Sequence, residues 1–95
     1  MNEINTTRIT RNRNNVRAYK ILAIEENKLI FRPQNGADKT TNIEVSNGKN
    51  YSVGEYIDLI VGFNRCNGRI TSYRIRLVGK TPEEFIPVNG EDIGD

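Results

Sequence analysis

Between Phe63 and Gly79 the chain reads FNRCNGRITSYRIRLVG, which sets Arg65, Arg69, Arg74 and Arg76 within twelve residues. Arginine presents a planar, permanently charged fork of N–H donors, and the groups that match it are carboxylates and phosphates. A second basic group, Arg8, Arg11, Arg13, Arg17 and Lys20, occupies thirteen residues that contain no acid. Its spacings of two to four residues suit neither one strand face nor one helix face. They suit an arm or hairpin wing that follows a phosphate backbone. Aromatic side chains lie beside these cations: Tyr19 next to Lys20, Phe31 next to Arg32, Phe63 near Arg65, Tyr73 next to Arg74. A positive groove with aromatic platforms is the means by which single-stranded nucleic acid is held, each stacked base contributing about 1–3 kcal/mol.

Catalytic chemistry is poorly provided for. There is no histidine, so neither a Ser–His nor a Cys–His pair exists, and no imidazole is available to a metal. The carboxylate pairs Glu25–Glu26 and Glu83–Glu84 are adjacent in sequence, which sends the two side chains to opposite sides of an extended chain. The glycines match neither a P-loop nor a G-x-G-x-x-G turn opening a helix. The sequence therefore implies no enzyme, no cofactor and no metal. Cys66 is the one cysteine and cannot form an internal disulfide, which suits a reducing cytoplasm.

The charge distribution says more than the net charge of +2. Five of the twelve acids, Glu83, Glu84, Glu91, Asp92 and Asp95, fall in residues 81–95, a stretch without Lys or Arg. Residues 1–80 then hold all fourteen bases against seven acids. A basic body with an acidic tail implies a polyanionic partner, nucleic acid before membrane. The tail can compete for the basic face or recruit a basic partner protein. No apolar run reaches the 18 residues of a membrane helix, and the N-terminus lacks the apolar core of a secretory signal.

The elements that must position these residues read as strands. VRAYKILAI and LIFRP, separated by EENK, predict a hairpin that Pro33 ends. NIEV is a short strand with Ile43 and Val45 on one face. EYIDLIVGF places Ile57, Leu59, Val61 and Phe63 on one face. NRCNG turns the chain, and RITSYRIRLV returns with Tyr73, Ile75 and Leu77 inward and Arg74 and Arg76 outward. No window shows helical spacing. About five strands in a short chain predict an all-β fold, a small antiparallel OB-like barrel over residues 16–80. A basic arm or wing over 1–15 precedes it, and an extended acidic tail over 81–95 follows. A domain of this size has a thin stability margin, so a homodimer is expected.

Residues 43–80 resemble the C-terminal half of the filamentous-phage single-stranded DNA-binding proteins of the gene V type. Tyr51, Gly54, Tyr56, Phe63, Gly68, the run Arg74 to Val78 and Lys80 carry the match, with a weaker one at TTR, residues 6–8, and Tyr19. The resemblance implies a dimeric five-stranded OB-type barrel that coats single-stranded phage DNA during replication. It implies an arginine wing on the phosphates, Tyr19 as a wing aromatic and Phe63 as a stacking aromatic. The loop after Phe63 is one residue shorter than that family's, and Asn14–Asn15 stand where the wing has a glycine turn. A second resemblance is to the PilZ barrels that bind cyclic di-GMP. Arg13 and Arg17 have the Arg-x-x-x-Arg spacing, and EVSNG at 44–48 is similar to the later motif with Glu for the acid and the glycine one residue early. A small phage structural or interaction module is the third class.

Overall fold

The computed structural model describes residues 15–33 and 39–88. Among them the fold is all-β: six strands form two three-stranded antiparallel sheets, with two single turns of 3-10 helix and no α-helix. β1 (Arg17–Lys20), β5 (Tyr56–Cys66) and β6 (Arg69–Lys80) make one sheet in the order β1-β5-β6. β2 (Ala23–Glu25), β3 (Lys28–Phe31) and β4 (Thr41–Glu44) make the other, in chain order. No helix among the described residues is long and apolar enough to cross a membrane.

The count is six rather than five because the first expected strand divides. VRAYKILAI leaves one sheet and enters the next between Ile21 and Leu22. The Ile21 N–H donates to the Glu55 carbonyl at 2.8 Å, whereas the Leu22 N–H donates to Ile30, also at 2.8 Å. One segment thus serves both sheets and joins them at a corner. Neither sheet closes on itself among the described residues. The EENK hairpin forms as expected: Glu25 pairs with Lys28, and Glu26 takes φ +57° to close the turn.

The core lies between the sheets. Tyr19 and Ile21, Leu29 and Phe31, Val45, Ile57 and Leu59 pack together, with Ile24, Ile43, Tyr51, Val61, Ile75 and Leu77 at its margin. These are the alternate positions of the strands, so the period of two delivers one apolar face per strand. Burying each such side chain stabilises the fold by about 1.5–3 kcal/mol. Phe31 and Tyr19 meet edge to face with ring centroids 5.4 Å apart.

The Asn-Gly of SNGKN has a structural duty. Asn47 caps a 3-10 turn at Gly48–Asn50 by accepting from the Lys49 N–H at 3.0 Å. The buried Gly48 donates to the Asn27 side chain at 2.8 Å. A Cβ at Gly48 would run into the backbone oxygen of Glu26, so the β2–β3 turn packs directly on this glycine. Past β6, Thr81 is buried and its hydroxyl donates to the buried Asp58 carboxylate at 2.9 Å. The first part of the acidic segment therefore has a fixed root and a 3-10 turn at Glu83–Phe85, where an extended chain was expected.

Candidate nucleic-acid interface

The β5–β6 hairpin carries the cationic cluster. β1 pairs with β5 only from Tyr56 to Leu59, so beyond Leu59 the hairpin continues as a two-stranded ribbon. The turn is shorter than the NRCNG loop expected. Asn64, Arg65 and Cys66 belong to β5, and Asn67 and Gly68 alone reverse the chain. Their φ values of +55° and +79° suit a two-residue turn of the type whose twist matches a hairpin, which is what an Asn-Gly pair favours.

Register assigns the two faces. Leu59 pairs with Leu77, Val61 with Ile75, Phe63 with Tyr73 and Arg65 with Ile70. These odd positions of β5 form the apolar face, at whose outer end the Phe63 and Tyr73 rings meet edge to face at 5.5 Å. The Arg65 guanidinium lies 5.7 Å from the Phe63 centroid, within cation–π range. On the other face Ile60 pairs with Arg76, Gly62 with Arg74, Asn64 with Ser72 and Cys66 with Arg69. Arg69, Arg74 and Arg76 therefore share one face, and all three are exposed.

This grouping depends on a defect in the ladder. Residues 69 and 74 are an odd number apart, and a regular strand would send them to opposite faces. The register shifts between Asn64 and Arg65, leaving Thr71 as an extra residue on β6, and the shift returns Arg69 to the arginine face. The Thr71 hydroxyl holds the site by donating to the Asn64 carbonyl at 3.1 Å, and the Asn64 amide donates to the Ser72 hydroxyl at 2.8 Å.

The ribbon also lacks acids. From Leu59 to Pro82 the chain holds Arg65, Arg69, Arg74, Arg76 and Lys80 and no Asp or Glu. Lys80 is occupied, donating to the Asn50 carbonyl at 2.6 Å and pairing with Glu55 at 3.2 Å. Among the described residues, none of the four arginines has a carboxylate partner.

The other residues expected at a binding site fall elsewhere. Arg8, Arg11 and Arg13 lie outside the described residues, as does the wing they were to form. Arg17 is exposed at the start of β1, beside Leu59. Lys20 is half-buried with its ammonium 5.9 Å from the Tyr56 ring centroid. Tyr19 is a correction. It is only 4% exposed and is part of the core, so its ring is not open to a base. Burial pushes its phenol up from the ordinary tyrosine range, with the Arg17 charge pulling the other way. Alternation puts Tyr19 on one face with Ile21 and Ala23, opposite Lys20; whether that face is covered depends on what packs over so short a strand.

Tyr73 stands beside Arg74 in the sequence but reads as inward, and Gly62 is not singled out there. Tyr73, expected in the core, is half-buried and stands at the outer end of the apolar face. Gly62 breaks the apolar run of β5, and a glycine inside a strand is the sequence mark of a close approach. Cys66 is exposed beside the turn.

No protein-family model, curated protein or solved structure matches this chain.

Proposed function

We propose that this protein binds single-stranded nucleic acid, DNA foremost, without catalysis. The observation that carries the reading is the outer β5–β6 ribbon: four arginines with no carboxylate partner among the described residues, three on one face, and a Phe63–Tyr73 pair on the other. Arginines aligned on one face of the ribbon neutralise successive phosphates, and the aromatic pair offers ring surface to bases. The resemblance of residues 43–80 to the filamentous-phage single-strand binders supports the same reading and suggests a role in phage or mobile-element replication. An OB-like barrel belongs with it. The strand that changes sheets between Ile21 and Leu22 is the kind of corner that joins the sheets of barrel-like orthogonal packings. A homodimer would present two arginine faces to one strand, and sedimentation with and without oligonucleotide tests for it.

The chain has no Trp, so its fluorescence reports on four tyrosines. Titration with oligo-dT at several salt concentrations should quench that signal, with an affinity that falls steeply with salt and resists duplex competitor. The double variant Arg69→Gln, Arg76→Gln should lower the slope of log affinity against log salt by about 1.4, at about 0.7 for each single-strand phosphate contact removed. Absence of binding at low salt, or equal preference for duplex, would sink the proposal.

A further inference from the structure

Arg74 does not stand out from the ribbon as a strand arginine ordinarily does. Its Nη2 donates to the Phe63 carbonyl across the hairpin at 3.4 Å. A Cβ placed on Gly62, its cross-strand partner, would lie 3.1 Å from Nη2, 3.4 Å from Cζ and 3.6 Å from Nε. In an edge-on approach between Nη2 and Nε, Cζ would be the farthest of the three atoms, yet it is nearer than Nε. In an end-on approach through Nη2, both of the other atoms would be much farther away. The guanidinium therefore lies face-on across Gly62, one side on the backbone of β5 and the other turned outward from an exposed residue.

We propose that Arg74 is a stacking platform for a base, with Arg69 and Arg76 on the same face holding the flanking phosphates. The inference rests on the single-strand reading above and divides the labour within it. Guanidinium planes stack on bases as aromatic rings do, and such contacts tolerate any base because every base has a π-face. Gly62 is the positioning residue: with no side chain it leaves the plane room to lie flat. Its backbone is outside the left-handed region, so alanine fits the strand there and displaces only the flexible end of Arg74. Alanine also suits a strand better than glycine, so this variant folds at least as well as the parent.

The test compares Arg74→Lys, Gly62→Ala and Arg76→Lys on oligo-dT and on an abasic strand of the same length. Lysine keeps the charge and loses the plane. Arg74→Lys should weaken oligo-dT binding about five-fold or more, the loss of one stacked base, and Gly62→Ala, which shifts the plane by only a few tenths of an ångström, should weaken it less. They should leave abasic binding and the salt slope unchanged. Arg76→Lys should affect both strands alike. Equal losses for Arg74→Lys on the two strands would make Arg74 a phosphate contact and overturn the inference while the single-strand reading stands. Failure of the parent protein to bind either strand would overturn both.

Discussion

At the level of single residues, Tyr19 and Gly48 show how packing decides what a side chain does. The folded state raises the Tyr19 phenol above its ordinary value of 10.0, chiefly because burial disfavours the phenolate. Above about pH 10 the unfolded chain loses this proton first, so the folded state binds more protons. Stability contributed by the neutral phenol is therefore complete below the unfolded value and is lost as pH rises through the folded one. The Tyr19→Phe variant should show a flatter decline than the parent in urea midpoints collected from about pH 9 to 11, bracketing the phenol's range. Identical pH profiles would show that Tyr19 does not titrate in the buried state described. Gly48 makes a different demand. Its Cβ would meet the Glu26 carbonyl, which is backbone and cannot swing away. Gly48→Ala should cost about 1–3 kcal/mol in chemical unfolding, the usual range for overpacking. An unchanged midpoint would mean that the turn can shift freely.

At the level of elements, the β5–β6 hairpin has two parts with different support. Its inner part, Tyr56 to Leu59, has β1 on one side and β6 on the other. Its outer part is a two-stranded ribbon, and ribbons of that kind are only marginally stable in water. Native-state amide exchange should therefore be slowest around Ile57 and Leu59 and faster from Gly62 to Cys66. Saturating oligo-dT should slow the outer amides more than the inner ones if the strand lies on the ribbon. Uniform protection along β5 would show that the ribbon is supported by something beyond its own pairing. The bulge at Thr71 belongs to this scale too, since it decides which arginines share a face. Arg65 ends on the aromatic face and Arg69 on the arginine face, although the two looked like neighbours at one turn.

For the whole molecule, charge separation and sheet joining matter most. The acid-free stretch from Leu59 to Pro82 coincides with one projecting hairpin, so its positive field is concentrated in space as well as in sequence. Glu83 and Glu84 follow at once, on a turn rooted by the Thr81–Asp58 hydrogen bond. Much of this was legible beforehand. Period-two alternation fixed the apolar face of β5 and β6, NRCNG marked the reversal though only Asn67 and Gly68 make it, and the absence of histidine removed imidazole chemistry whatever the fold. These are local properties, and a strand's face or a turn's φ depends on nearest neighbours. Three things needed the tertiary structure. The Ile21–Leu22 corner splits one apolar run between two sheets, because both sheets compete for its backbone hydrogen bonds. Tyr19 is buried because a second layer covers it. Arg69 joins Arg74 and Arg76 because an unpaired Thr71 shifts the register by one residue, and a register shift belongs to the pairing of two strands, which the alternation of either strand alone does not show.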